Sequence, residues 1–271
     1  HAGLLPPGFS AEHLGPNDYY YWDDFWVIGG LKAIAAMYQR RGDGERAARH
    51  MREAEAFWSD VRSSLEALPA SVGAEGMPAS PYRRMDAGAI GSLVADYPLR
   101  LDEVGPRRVS STADWLWKHC RHDGGFFQDI IHSGVNAYLT LALAQTFLRQ
   151  GDARYLGLIE SVARLASPTG HWPEAIHPRT GGGCMGDGQH AWAAAEWVLM
   201  MRALFVREEN DHLVIGSGVP AAWFENSERF SYGPTATAWG PVSIIFSRRD
   251  GHWSAKIVGA WAGQPPAARI A

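Results

Sequence analysis

The sequence predicts a mainly α fold: about seven helices in antiparallel hairpins, forming a toroid or partial toroid, then a small C-terminal β element. Three observations carry this expectation. Apolar residues recur at helical spacing through most of residues 1–209. The links between the helical segments alternate short and long. After Asn210 the texture changes to short β-branched and aromatic runs separated by Gly, Pro, Ser and Asp-Gly.

Taken in order, residues 1–17 read as loop, because Pro6, Pro7, Gly8, Gly15 and Pro16 break any period. The first helix spans 18–41, capped by Asn17 or Asp18, with Phe25, Ile28, Leu31, Ile34, Ala35 and Tyr38 as its apolar stripe. Gly42-Asp43 turns it into a second helix over 45–68, with Met51, Ala54, Phe57, Trp58, Val61 and Leu65 inward. A long loop, 69–85, leads to a third helix over 86–97, and a tight link to a fourth over 107–120. The loop 121–131 precedes a fifth helix over 132–150. Gly151-Asp152 turns that helix into a sixth over 153–166. The Gly-rich and Pro-rich stretch from Ser167 leads to a seventh over 189–208. The β element contains the runs 213–215, 242–246 and 253–258, with Asp250-Gly251 as a hairpin turn. The predicted units are thus 1–209 and 210–271.

Two consequences follow from this layout. Links between antiparallel helices alternate ends, so the long loops gather at one end, where a rigid scaffold would carry a site. The turns Arg41-Gly42-Asp43 and Gln150-Gly151-Asp152 match, about 109 residues apart, which gives about 55 residues per hairpin and suggests repetition.

The chain has 271 residues, 46% of them hydrophobic and 20% charged, enough to build a real core. Its net charge is −4 and it has no basic run, which argues against nucleic acid or an anionic membrane as partner. No apolar run reaches the roughly 18 residues of a membrane span. Two cysteines, Cys120 and Cys184, make no disulfide framework and lean towards a reducing, cytoplasmic setting. His122, Asp123, His171 and His177 lack zinc-ligand spacing, so neither a catalytic metal nor a cofactor is expected.

The long-loop end collects carboxylates, aromatics and amide or imidazole donors. The first loop offers Glu12, Asp18, Tyr20, Trp22 and Asp23, the second Arg84 and Asp86, the third Gln128 and His132, the last Trp172, Glu174, His190 and Trp192. Sugars favour this mixture, because their hydroxyls need hydrogen bonds and their C–H faces stack on rings.

Residues 3–37, GLLPPGFSAEHLGPNDYYYWDDFWVIGGLKAIAAM, resemble the loop and helix that carry the general acid in six-hairpin glycoside hydrolases of the glucoamylase and trehalase type. They are similar both to the glucoamylase glutamate ahead of a Tyr-rich helix start and to the trehalase run of Pro-Gly-x-Phe, Glu and Tyr-Tyr-Trp-Asp. WPEAIHPRTGGG and GQHAWAAAEW resemble the family's base motif, in which Glu is followed by Pro-x-Thr-Gly and then a helix with an early Trp; here these are Glu174, Pro178, Thr180, Gly181 and Trp192. The resemblance implies an (α/α)6 toroid of which only the last seven helices are present. It implies that the missing N-terminal half, on the same or another polypeptide, is a partner, and that the exposed flank is apolar.

It also implies an inverting hydrolase acting on a glucoside or related oligosaccharide, with Glu174 as general base and Glu12 as general acid. Asp18 and Asp23 are the rivals of Glu12, and Asp18 equally suits a helix cap. Tyr20, Trp22, Asp23, Gln128, His132, Trp172, His190 and Trp192 are candidate substrate contacts, each with packing or structural support as its alternative. Arg84 and Asp86 suit an ion pair or cap, or a sugar hydroxyl. Two other functions fit the same residues: a sugar epimerase or phosphorylase, the former using His132 and His190, and a non-catalytic carbohydrate-binding or interaction fragment.

Overall fold

The computed structural model describes residues 3–9, 14–130 and 133–270. Helix α1 (Tyr21–Arg40) pairs with α2 (Gly44–Glu66), and the short α3 (Ala70–Glu75) follows. A 3-10 helix, Ala87–Ala95, leads through a second short 3-10 turn to α4 (Pro106–His119). Strands β1 (Arg121–His122), β2 (Gly125–Gln128) and β3 (Gly134–Val135) precede the hairpin of α5 (Ala137–Arg149) and α6 (Arg154–Leu165). Strands β4 (Ala175–Ile176) and β5 (Gly183–Met185) lead to α7 (Ala191–Phe205). The chain ends with β6 (Val206–Glu209), β7 (His212–Ile215), α8 (Ala221–Glu225), β8 (Arg229–Thr235), β9 (Val242–Arg249), β10 (His252–Gly259) and β11 (Ala267–Ile270).

This corrects the expected fold class. About 46% of the chain is helix and 19% strand, in sheets of five, three and three strands, so it is an α/β mix rather than mainly α with a small C-terminal β element. The physical reason lies in the loops. Residues 121–135 and 175–185 zip together as β1-β2-β3-β4-β5, in strands of two to four residues. Strands that short show no period of two, so their pairing is invisible in the sequence. At the C-terminus, β6, β8 and β11 add to the expected runs, giving β11-β7-β6 and β10-β9-β8.

Local chemistry explains the helix boundaries. Asp43 caps α2 by accepting from Arg46 N–H at 3.1 Å, and Asp152 accepts from Arg154 N–H at 2.9 Å beside α6. Gly42 and Gly151 take φ of +78° and +71° in the two matching turns, a conformation that Gly adopts without steric penalty. Helix α1 starts later than expected: Asp18 forms a β-bridge with Gly8 and bonds Tyr19 N–H instead of capping the helix. The third expected α-helix is a buried 3-10 segment, AGAIGSLVA. Its Gly88 and Gly91 lie against Leu14, so the main chain approaches more closely than side chains would allow. Residue 206 leaves the seventh helix early, because Val206 pairs with Ile215.

The core is centred on α5, where eleven of thirteen residues are buried. It packs on α6, α7, α4 and the 3-10 helix, which in turn lies against α1. The β9 face adds Val242, Ile244 and Phe246 to an aromatic cluster with Phe224, Phe230 and Trp253. Asp250 and Gly251, both at positive φ, close the β9–β10 hairpin. Trp26, Val27, Ile34 and Met37 on α1, and Val198 and Leu199 on α7, remain exposed.

Candidate functional site

Glu174 stands one residue before β4. Its N–H donates to Asp187 O at 3.1 Å, and Ala175 pairs with Met185. The following residues are therefore anchored in the sheet through Val135↔Ile176, while the side chain stays half-buried. The Glu174 carboxyl lies over Gly186, which takes φ +65°; a Cβ there would collide with it. Among the described residues, no cation pairs with this carboxylate and no donor bonds it. Trp172 is buried instead of facing a ligand: its Nε1–H donates to Val162 O at 2.8 Å, and its ring lies 5.4 Å from Trp197.

His190 N–H donates to Trp172 O at 2.8 Å, which ties the start of α7 to the Glu174 strand. The His190 ring sits 5.0 Å from Tyr138, with Nδ1 3.4 Å from Asp187 Oδ2. Its Nε2 is buried without a hydrogen-bond partner among the described residues. Trp192, one residue into α7, lies 5.1 Å from Tyr138 and 6.4 Å from Trp22 of α1. The first turns of α1 and α7, distant in sequence, thus meet.

On the α1 side, burial raises the Asp23 carboxyl above the ordinary aspartate value. Asp18 is half-buried and spends Oδ1 on Tyr19 N–H at 2.8 Å. Tyr20 is buried, its hydroxyl donating to Pro16 O and accepting from Arg83 at 3.3 Å. Asp86 caps the 3-10 helix, accepting from Gly88 N–H at 2.9 Å, and its ion partner is Arg83 rather than the exposed Arg84. Burial raises the Asp86 carboxyl, and the Arg83 charge opposes that shift. Gln128 is fully buried on β2, accepting from Asn136 Nδ2 at 3.3 Å. Glu12 and His132 lie outside the described residues.

Two buried carboxyls carry no motif that singles them out in the sequence. Asp24 is 1% exposed, and burial pushes its carboxyl up to about 7 although Leu5 N–H donates to Oδ1 at 3.0 Å. Glu196 accepts from Tyr97 Oη–H at 2.7 Å and from Trp192 Nε1–H at 3.3 Å, and burial raises it too. Each falls on its helix's apolar stripe: Asp24 beside Tyr21, Phe25 and Ile28, Glu196 beside Ala193, Met200 and Ala203. An acid at a core-facing position was the available signal. Trp22, Trp26, Tyr138 and Trp192 join Glu196 around a cavity of about 230 Å³.

No protein-family model and no curated protein matches this chain.

Proposed function

We propose that the chain is an inverting glycoside hydrolase in which Glu174 is the general base and Asp23, a rival of Glu12 that lies within the described residues, the general acid. The meeting of α1 and α7 through Trp22 and Trp192 carries this reading, because it brings the two resembling segments to one place. An acid must carry a proton to deliver, and burial raises the Asp23 carboxyl above the ordinary aspartate value. A base must be within reach of water, and Glu174 is half-buried rather than sealed in the core. Trp22, Trp192 and Tyr138 supply rings for a sugar's C–H face.

In the reaction, Asp23 protonates the glycosidic oxygen as its bond to the anomeric carbon breaks. Glu174 takes a proton from the water that attacks that carbon on the opposite face. The product is the free sugar with inverted configuration, and the protons exchange with solvent. The two carboxyls should lie roughly 6.5–9.5 Å apart in a substrate complex.

Glu174→Gln and Asp23→Asn should each lower kcat by roughly 10²–10⁴-fold on whichever α-glucoside or trehalose-like disaccharide the wild type cleaves, with Tm held. Undiminished turnover in both variants would overturn the assignment. A second reading, sugar epimerisation, is favoured by the Asp187–His190 pair and the unpartnered His190 Nε2. Its signature is deuterium exchange from solvent into the sugar, lost in His190→Gln and kept in Glu174→Gln.

A further inference from the structure

We propose that the cavity between α1, the 3-10 helix, α5 and α7 binds a small organic cation, a protonated amine or quaternary ammonium group, through Glu196 and its aromatic walls. Five aromatic rings line it: Trp22, Trp26, Tyr97, Tyr138 and Trp192. Trp22 meets Trp26 edge-on at 5.8 Å, and Trp192 leans on Tyr138 at 5.1 Å. Ring faces carry negative electrostatic potential and attract cations within about 6 Å of the centroid.

The wall also holds a carboxylate that lacks a matching charge among the described residues. Glu196 is 8% exposed, and its two bonded donors, Tyr97 Oη–H and Trp192 Nε1–H, are neutral. Arg202 is within electrostatic range of Tyr97, but its guanidinium is bonded to Ala236 O at 2.9 Å and pairs with Glu208 at 3.6 Å. A buried anion without a counter-charge is costly, and a cation entering the cavity would offset that cost. Ile90, Leu93, Val94 and Leu139 line much of the rest. A methylated ammonium needs no hydrogen bonds from such a lining. The site shares Trp22, Tyr138 and Trp192 with the proposed sugar face but does not rest on hydrolysis.

The test titrates the whole chain with choline and tetramethylammonium, and in parallel with 3,3-dimethyl-1-butanol, the neutral shape-match of choline. Tryptophan fluorescence and calorimetry are the readouts. The expected result is saturable binding of the cations and none of the neutral alcohol, with affinity falling about tenfold or more in Glu196→Gln. The glutamine keeps an acceptor in the same place; if circular dichroism shows that it nonetheless misfolds, Trp26→Leu, at an exposed ring, supplies the same comparison. Equal binding of the alcohol, absence of a saturable signal into the tens of millimolar, or unchanged affinity in a folded variant would overturn the proposal. Glu174→Gln in the same titration keeps the outcomes apart, because it should stop turnover and leave cation binding intact.

Discussion

At the scale of single residues, the most consequential group is Asp24. Its side chain is buried on the helix face that carries Tyr21, Phe25 and Ile28, and its Oδ2 has no hydrogen-bond partner among the described residues. In the folded chain it holds its proton up to about pH 7, against 3.8 for an ordinary aspartate. Between those values the folded state binds more protons than the unfolded one, so raising the pH favours unfolding. Every tenfold difference in proton affinity between the two states is worth about 1.4 kcal/mol. Asp24→Asn keeps an acceptor for Leu5 N–H but removes the titration. Urea unfolding from pH 4 to 8 should therefore show wild-type stability falling more steeply with pH than that of the variant, and the variant should be the more stable at pH 8. Parallel curves would show that Asp24 does not titrate in this window. The sequence put Asp23, its neighbour, among the candidates behind Glu12, because that residue completes the Tyr-Tyr-Trp-Asp run. The stripe of α1 is what distinguishes the two, and it buries Asp24 while leaving Asp23 half-buried.

At the scale of elements, the five-stranded sheet is what turns a Gly-rich loop into a fixed platform. Gln128↔Gly134 and Val135↔Ile176 bind the third and fourth site loops to each other, and Ala175↔Met185 folds the fourth loop back on itself. The sequence marked the loops as candidate ground for a site, through their length and their Gly and Pro content. It concealed the sheet, because two-residue strands carry no pattern. Gly186 shows the consequence most directly, since its bare Cα lies beneath the Glu174 carboxyl and its φ of +65° disfavours any side chain. Gly186→Ala should push Glu174 aside while leaving the core intact. A displacement of about 1 Å can lower turnover about 10²-fold, so kcat should fall by that order with only a small change in Tm. Steady-state kinetics beside a thermal melt would separate this from unfolding; unchanged kcat would mean that Glu174 is not positioned by this glycine.

The 3-10 helix makes the complementary point. Its composition reads as helix, yet Gly88 and Gly91 let it tighten against Leu14, a tertiary contact that no local spacing encodes.

At the scale of the whole molecule, the helical hairpins were legible because their turns carry Gly-Asp at the closing positions. The overall class was not, because strands built from loops tip the balance to an α/β mix. What the packing leaves uncovered follows from the same helices. Trp26, Val27, Ile34 and Met37 fall within an arc of about 100° around α1, and Val198 is 62% exposed on α7. A helix usually turns such a stripe inward, and an uncovered one marks a surface that associates. No helix among the described residues is long and apolar enough to cross a membrane, so lipid does not cover these stripes by a helical span. The chain on its own should therefore self-associate as concentration rises, by an interface driven by apolar burial. Light scattering behind size exclusion should show a mass above that of one chain, growing with loading. Ile34→Glu combined with Val198→Glu should return it to one chain. Neither site packs in the core, so the double variant should keep its circular dichroism spectrum. A wild type that stays at one chain's mass at every concentration would mean that the two faces are tolerated by water.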